Sequence, residues 1–252
     1  MPLGDVLSYN SESLISKTYY RAFGIPALHS HIRWQAVKKY IDKSGEKNAD
    51  IGCGWGLMSF GFVKETGKPI DCVDIDPKLI EFGKKLAKKA GIDKIRFIID
   101  ALPKLPKLTR NYYDQVLLID VLEHVNEDLE SLITINSLLR MGGILIISVP
   151  TPNYPKYFGY DFAKKIGHVR DGYTIEDLRR LLKHSGFEII EWSYHTNLLS
   201  PYLCKFWYQY NLPFKAKALL FPILKTLTRF DSIGKGINSC GIVVKAVKVR
   251  RL

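Results

Sequence analysis

The feature that most constrains this chain is a glycine-rich turn between a short strand and a helix. The segment is Asn48-Ala49-Asp50-Ile51-Gly52-Cys53-Gly54-Trp55-Gly56. Asp74 follows about one strand and one helix later. Glycine tolerates positive φ and close backbone approach because it has no Cβ atom. A carboxylate at the tip of the next strand can accept hydrogen bonds from a ribose diol. The pattern therefore predicts a βαβ unit that binds a nucleoside.

The spacing of the glycines narrows the kind of nucleoside. Leu57 occupies the place where a dinucleotide-binding turn carries its third glycine. That third glycine belongs to the Gly-x-Gly-x-x-Gly pattern that holds a pyrophosphate. The Gly-x-Gly-x-Gly spacing seen here instead favours a nucleoside without phosphates.

Strands and helices alternate on both sides of this turn. Strands are predicted at 47–51, 70–75, 95–99, 115–119, 144–149, about 187–194 and 240–249. Helices are predicted at about 56–66, 77–90, 126–140 and 175–184, with a turn at 141–143. The alternation, with an unbroken apolar run at 115–119, predicts an α/β fold with a doubly wound, mostly parallel, seven-stranded sheet. Ligands bind at the carboxyl ends of such strands, where Gly52, Asp74, Asp100 and Asp120 fall.

The remaining segments flank this domain. Residues 1–44 are expected to form an N-terminal helical cap, with helices at 9–22 and from Ser30 onward. The nucleoside-binding domain is expected to comprise 45–195 and 237–252. Residues 196–236 form an aromatic, basic helical insertion before the last strand.

Composition sets the broad class. Hydrophobic residues make up 46% and charged residues 25% of the 252 residues, as in an ordinary globular protein with a sizeable core. The four cysteines stand far apart without a Cys-x-x-Cys pair, which favours reduced thiols in a cytoplasmic protein and no metal site. The N-terminus lacks a signal sequence, and no apolar run approaches the roughly 20 residues of a membrane span.

Positive charge is concentrated near the end of the chain. The net charge is +12, and residues 195–252 carry ten lysines and arginines against one acid, Asp231. This part therefore contributes +9 of the total. Such a concentration indicates an anionic surface or partner.

Four segments together resemble the ordered motifs of class I S-adenosylmethionine-dependent methyltransferases. The match is closest to the group that includes ubiquinone- and menaquinone-pathway methyltransferases. The segments are the glycine turn, Val73-Asp74-Ile75-Asp76, Asp100-Ala101 and Asp120-Val121-Leu122-Glu123-His124. The resemblance covers about residues 45–195, and the four segments are specific as a set. The resemblance implies a Rossmann-like methyltransferase fold, S-adenosylmethionine as cofactor and an enzyme that transfers a methyl group.

The resemblance also implies roles for individual residues. The glycines would pack against the methionine and ribose parts of the cofactor, Asp74 would bind the ribose hydroxyls, and Asp120 would lie near the methionine moiety. Asp100 with Ala101 would border the adenine. The expected cofactor-binding residues are Asp50, Gly52, Cys53, Gly54, Gly56, Asp74, Ile75, Asp100, Ala101 and Asp120.

Candidate acid–base and acceptor residues follow the fourth and fifth strands. His124 and His168 are the candidate catalytic residues, because an imidazole titrates near neutral pH. Arg170 and Tyr173 are candidates for binding the acceptor from the loop before the 175–184 helix. The alternative for His124 is a histidine that only holds its loop. Methyl transfer is an in-line displacement that needs positioned reactants but no metal cluster or covalent nucleophile.

The insertion at 196–236 contains residues that indicate the class of substrate. Its aromatic residues are Tyr202, Phe206, Trp207, Tyr208, Tyr210 and Phe214. On a helical wheel of 214–230, one arc gathers Leu219, Leu220, Ile223, Leu224, Leu227 and Phe230, opposite Lys215, Lys217, Lys225 and Arg229. A basic amphipathic helix with aromatic neighbours is typical of an interfacial membrane segment. The alternative is a lid whose apolar arc packs on its own domain.

These observations favour methyl transfer to an apolar or lipid-linked small molecule, at a quinol-like or glycolipid oxygen. An anionic membrane surface is a further expected partner, with peripheral attachment of a cytoplasmic protein. One alternative is an RNA methyltransferase that uses the basic C-terminal part. Another is a cofactor-binding protein without catalysis. The oligomeric state stays open.

Overall fold

The computed structural model describes residues 2–210, 212–228 and 238–252, apart from the side chain of Phe214. Seven strands form one sheet in the order β3-β2-β1-β4-β5-β7-β6. The strands are β1 Asn48–Ile51, β2 Ile70–Asp74, β3 Ile95–Ile99, β4 Tyr113–Ile119, β5 Leu139–Pro150, β6 Phe187–His195 and β7 Gly241–Lys248. The first five run parallel, and β7 pairs antiparallel with both β5 and β6. The predicted mostly parallel, doubly wound sheet is therefore confirmed.

Ten α-helices surround the sheet within the described ranges. They are α1 Leu14–Phe23, α2 Leu28–Val37, α3 Leu57–Thr66, α4 Pro77–Ala90, α5 Asp128–Leu138, α6 Tyr154–Phe158, α7 Tyr160–Lys165, α8 Ile175–His184, α9 Ser200–Gln209 and α10 Phe214–Leu227. Two of the helices begin at side-chain caps: Asp76 accepts from the Lys78 N–H, and Thr174 with Asp177 forms a capping box. No helix in the described part of the chain is long and apolar enough to cross a membrane.

The structure differs from the sequence-based prediction in two local features, and it adds a third. The turn predicted at 141–143 lies inside β5, where Gly142 has a φ of 73°. Because Tyr113 pairs with Leu139 and Gln115 with Ile144, the extra residues form an irregularity in the strand. The helix predicted at 9–22 begins only at Leu14, after a short 3-10 turn at Asp5–Tyr9. The loop after β5 contains the two short helices α6 and α7.

Two hydrophobic cores cover the two faces of the sheet, and a third lies under the helical cap. The third core joins α2, α6, α7, α9 and α10 through Leu28, Phe158, Ala163, Trp207 and Phe221, which are all buried. The N-terminal helix α2 and the insertion therefore share one core rather than packing separately. This shared core holds α2 beside the carboxyl ends of the strands, where the side chains described next converge.

Candidate functional site

The carboxyl ends of β1, β2 and β4 border a cleft of about 410 Å³. Its lining includes Gly52, Asp74, Ile75, Asp100, Ala101 and Asp120. The four strand-end positions singled out in the sequence thus meet at one edge of the sheet. The remaining expected residues of the glycine turn, Asp50, Cys53, Gly54 and Gly56, lie beside this cleft rather than on its lining.

The glycine turn leaves open space next to the cleft. Gly54 has a φ of 57°, and a β-carbon there would meet no other atom within 4 Å. A side chain would fill this space, so the turn keeps room that a ligand can use. Gly56, with a φ of 90°, is needed for packing, because a β-carbon would lie 3.2 Å from the Cys72 Sγ.

Asp74 ties the turn to the next strand. Its Oδ2 accepts a hydrogen bond from the Gly54 N–H at 2.7 Å, and its Oδ1 accepts from the Asp76 N–H at 2.9 Å. A carboxylate has about four lone-pair sites, so two backbone bonds leave acceptors for ligand hydroxyls. The carboxylate is therefore oriented before any ligand arrives.

Asp50 and Cys53 act behind the turn. The Asp50 side chain is buried, and its Oδ2 accepts from the Ser59 hydroxyl at 2.6 Å. Burial raises the pKa of Asp50 to about 7. The Cys53 thiol donates to the carbonyl of Gly54 at 3.4 Å, and burial raises the pKa of this thiol. Both side chains therefore brace the turn.

A second, more enclosed cavity of about 110 Å³ adjoins the cleft. We call it the inner chamber, and its polar lining includes His29, Arg33, Glu123, Tyr154, His168 and His195. Asp120 and His124 line both cavities, so these two side chains mark the boundary between them. A ligand in the cleft and a ligand in the chamber would meet at this boundary.

An ion pair lies at that boundary. The Arg33 Nη2 is 2.6 Å from the Asp120 Oδ2 and 3.0 Å from the His29 Nδ1. Asp120 follows β4 with a φ of 52°, an uncommon value for a residue with a side chain. Desolvation raises the pKa of Asp120, while the nearby Arg33 lowers it. Helix α2 thus places the Arg33 guanidinium at the end of β4.

Burial lowers the pKa of three histidines that line the chamber. Desolvation lowers the pKa of His168 to about 4 and that of His195 to about 3, and it lowers the pKa of His29 well below its usual value. The rings of His124 and His168 lie edge to face, with centroids 4.8 Å apart. The two predicted catalytic histidines are therefore neighbours at the chamber.

Glu123 adds a buried carboxyl group next to these rings. The Glu123 side chain is almost fully buried, its Oε2 has no partner, and desolvation followed by Asp120 raises its pKa well above the usual value. Ligand atoms of Glu123, His124 and His168 all lie within 4.8 Å of one another. The sequence predicts no metal, yet these three side chains have a spacing in which a metal ion could be held.

Arg170 and Tyr173 lie outside the lining of both cavities. Arg170 pairs with Asp128 and donates to the carbonyl oxygen of Val125 at 3.1 Å. The Tyr173 hydroxyl donates to the Leu122 carbonyl oxygen at 3.1 Å, and its ring is buried. Their contacts hold the segment after β4, which carries Glu123 and His124.

Several chamber residues were missed at the sequence level. His29 and Arg33 lie on α2, four residues apart and thus on one helix face, but no motif marks them. His195 ends β6, and its Nε2 lies 3.3 Å from the Ser148 hydroxyl. The only available signal was the i, i+4 spacing of His29 and Arg33. It becomes informative once α2 is known to cross the strand ends.

Comparisons with known proteins agree with this arrangement. Residues 42–191 match the model of a family described as a methyltransferase domain. A ubiquinone biosynthesis O-methyltransferase of Xanthomonas axonopodis pv. citri (strain 306) is 23% identical over 167 residues, covering 63% of this chain and 69% of the relative. One of Xylella fastidiosa (strain M23) is 28% identical over 120 residues, covering 46% of this chain and 47% of the relative.

A solved structure shows the same fold at low identity. The geranyl diphosphate C-methyltransferase of Streptomyces coelicolor A3(2) was crystallised with Mg²⁺, geranyl diphosphate and S-adenosyl-L-homocysteine. It superposes with a TM-score of 0.65 at 16% identity, covering 98% of this chain and 89% of that one. At this identity the match supports the fold alone.

Replacing Glu123 with glutamine should change the pH dependence of stability. A raised carboxyl pKa means that the folded state binds the proton more tightly than the unfolded state. The wild type therefore loses stability as pH rises above the ordinary value of 4.5. Each pH unit between the two pKa values should cost it about 1.4 kcal/mol, which Glu123→Gln avoids. The measurement is urea unfolding at pH 5 and pH 8.

The exposed Glu12 provides the matched control. Glu12→Gln should show the wild-type dependence at both pH values. If the free energy of unfolding of Glu123→Gln exceeds that of the wild type by the same amount at pH 5 and at pH 8, the pKa of this carboxyl is not raised.

Proposed function

We propose a substrate class for this chain, which belongs to the methyltransferase-domain family and is a class I S-adenosylmethionine-dependent methyltransferase. The acceptor is an apolar or lipid-linked small molecule, methylated on an oxygen of a quinol-like ring or a glycolipid. Family membership sets aside the alternative of a cofactor-binding protein without catalysis. The acceptor class rests on the shape and chemistry of the inner chamber and its roof.

The residues of the cleft fit the cofactor. We propose that the Asp74 carboxylate binds the ribose hydroxyls, since it is already oriented by two backbone N–H groups. The exposed Ile75 side chain and the Asp100–Ala101 segment border the adenine, and the open space at Gly54 admits the methionine part. Asp50 and Cys53 contribute by bracing the turn, and Asp120 faces the methionine end of the cleft.

The cofactor supplies an activated methyl group on a sulfonium. The chain's own residues place the acceptor oxygen in the chamber, at the boundary marked by Asp120 and His124. An in-line transfer needs this alignment more than any covalent help from the protein. The enclosure of the chamber also keeps bulk water from the reacting oxygen.

His124 and His168 remain the proposed catalytic residues. The His168 Nδ1 is buried without a partner, and the neutral ring has a lone pair that can accept the acceptor's hydroxyl proton. His124 lies beside it and borders both cavities. For Arg170 and Tyr173 we propose a positioning role, because they hold the segment that carries Glu123 and His124.

The roof of the chamber is aromatic: the Tyr154 ring lies on the lining, and Phe158 packs against it. Tyr154 and Phe158 stack with centroids 4.3 Å apart, and His29 lies 5.1 Å from the Phe158 ring. Trp207 and Phe221 from the insertion complete the third core above them. An acceptor with a polar head and an apolar remainder matches a polar chamber under an aromatic roof.

The outer face of α10 carries an exposed apolar stripe. Leu219 is 76% exposed, Ile223 60% and Leu227 38%, whereas Phe221 and Leu224 of the same helix are buried. Much of the arc predicted from the helical wheel is therefore free of the protein's own core. Lys215, Lys217 and Lys225 add positive charge to this helix. Arg229, Phe230, Asp231 and Lys235 lie outside the described residues.

We propose that this stripe rests on an anionic membrane surface, from which a lipid-linked acceptor reaches the chamber. Exposed leucine and isoleucine next to lysines suit the boundary between headgroups and acyl chains. The single observation that carries the acceptor proposal is the small polar chamber under an aromatic roof whose outer side exposes this stripe. The RNA alternative rests on the positive charge of the C-terminal part alone.

Asp74→Ala should weaken binding of S-adenosyl-L-homocysteine by about 10- to 100-fold, because the ribose hydroxyls lose their hydrogen bonds to a charged group. Calorimetry measures the affinity, and circular dichroism confirms that the fold is retained. Asp76→Ala is the matched control. It removes the α4 cap at a cost of about 1 kcal/mol in stability and should leave the affinity unchanged. Equal affinity of Asp74→Ala and wild type would refute the ribose assignment.

The acceptor class is tested by incubating the enzyme with methyl-labelled S-adenosylmethionine and cell extract separated into lipid, RNA, protein and small-molecule fractions. We expect label in the lipid fraction and in isolated apolar ring compounds.

His168→Ala should lower this incorporation by about 100-fold if the imidazole accepts the proton. Label confined to RNA would establish the nucleic-acid alternative instead.

Membrane attachment is tested by flotation with vesicles that contain phosphatidylglycerol. The wild type should float at low salt and lose binding at high salt. Leu219→Ser with Ile223→Ser should reduce the partition coefficient by about tenfold or more, because two apolar side chains no longer enter the lipid. Leu129→Ser with Ile133→Ser on α5 removes the same residue pair at the same spacing elsewhere. Equal loss in both variants would count against a role of α10.

A further inference from the structure

The inner chamber contains four buried polar atoms that have no hydrogen-bond partner: His29 Nε2, Arg33 Nε, Glu123 Oε2 and His168 Nδ1. Buried polar groups in folded proteins are normally paired. Their concentration around one small cavity therefore indicates a ligand with several oxygen atoms. Two of the four, His29 and Arg33, come from helix α2, which precedes the matched family domain.

Arg33 differs from the other residues on the lining of the chamber in its charge. It is the one lysine or arginine among the lining residues. An arginine stays protonated at any working pH. Its partner is the carboxylate of Asp120, whose Oδ2 lies 2.6 Å from the Arg33 Nη2.

Asp120 also borders the cleft in which the cofactor is proposed to lie. A bound sulfonium would be a second cation close to this carboxylate. Arg33 would then share its counter-ion, while its Nε–H still lacks an acceptor. An anion entering the chamber would restore the charge balance and satisfy that donor.

We propose that Arg33, with His29 beside it, binds an anionic oxygen of the methyl acceptor at the boundary between the two cavities. The anionic oxygen is either the reacting oxygen after it loses its proton or an acidic substituent on the same molecule. This inference rests on the proposed function and adds the acceptor's charge and the residues that recognise it. Arg33 is thereby a binding residue supplied from outside the matched domain.

A purely structural role for Arg33 makes different predictions. If the ion pair with Asp120 only fastened α2 to the sheet, its loss would lower the melting temperature without any preference for charged ligands. The useful variants are Arg33→Lys, which keeps the charge, and Arg33→Gln, which removes it. Arg21, exposed on α1, provides the control Arg21→Gln.

The experiment uses the full chain loaded with S-adenosyl-L-homocysteine and three ring probes. The first is 4-nitrocatechol, whose ionised hydroxyl absorbs in the visible range. The second is 3,4-dihydroxybenzoate, which carries an acidic substituent. The third is catechol, which is uncharged at neutral pH. Absorbance follows the ionisation of the nitrocatechol, and calorimetry measures the affinity of all three.

In the wild type and in Arg21→Gln, we expect the protein to bind an anionic probe at least about tenfold more tightly than catechol. Arg33→Gln should abolish this preference, and Arg33→Lys should retain part of it. A hydroxyl pKa that is lower in bound than in free nitrocatechol, and so a more fully ionised bound probe, assigns the anionic oxygen to the reacting position. Tight binding of dihydroxybenzoate alone assigns it to a substituent.

Three results would overturn the inference: equal binding of charged and uncharged probes, no binding of either anionic probe, or an unchanged preference in Arg33→Gln. Failure of the proposed function looks different, because label from the cofactor would then appear in RNA or protein. The charge preference could persist in that case. The two outcomes are therefore separable.

Discussion

The hydrogen bond from the Gly54 N–H to the Asp74 carboxylate is the contact on which the geometry of the cleft depends. It joins the turn after β1 to the tip of β2, and the same carboxylate accepts from the Asp76 N–H at the start of α4. One side chain thus fixes the backbone of the turn, the strand end and the helix start together. Asp50, bonded to Ser59 behind the turn, supports the same geometry from within the core.

The inner chamber depends on a different kind of contact. Residues from α2, the segment after β4, the loop after β5 and the end of β6 meet around the inner chamber. They are held by the third core, in which aromatic side chains of the insertion pack against α2. The chamber is therefore assembled from long-range packing, whereas the cleft is assembled from consecutive strand ends. The ion pair of Arg33 with Asp120 lies where the cleft and the inner chamber meet.

This difference explains how much could be predicted from the sequence. The sheet, its helices and the cleft residues Gly52, Asp74, Asp100 and Asp120 follow from periodicity, caps and short motifs, all of which are local signals. His29 and Arg33 escaped detection because their role arises from where α2 crosses the sheet, which no local pattern encodes. Arg170 and Tyr173 were placed near the right segment, yet their side chains bond to backbone and to Asp128 rather than facing a cavity. Phe221, off the predicted apolar arc, is buried because α10 packs by tertiary contact.

The position of β7 between β5 and β6 has a consequence for how the protein is made. Every side chain that lines the cleft lies between residues 51 and 127, so a ribosome has released all of them at mid-synthesis. The chamber, in contrast, includes Cys240 and Gly241 at the start of β7, close to the end of the chain. All lining residues of the cleft are thus synthesised well before the last of those that line the inner chamber. The inner chamber is completed only when the last strand has joined the sheet.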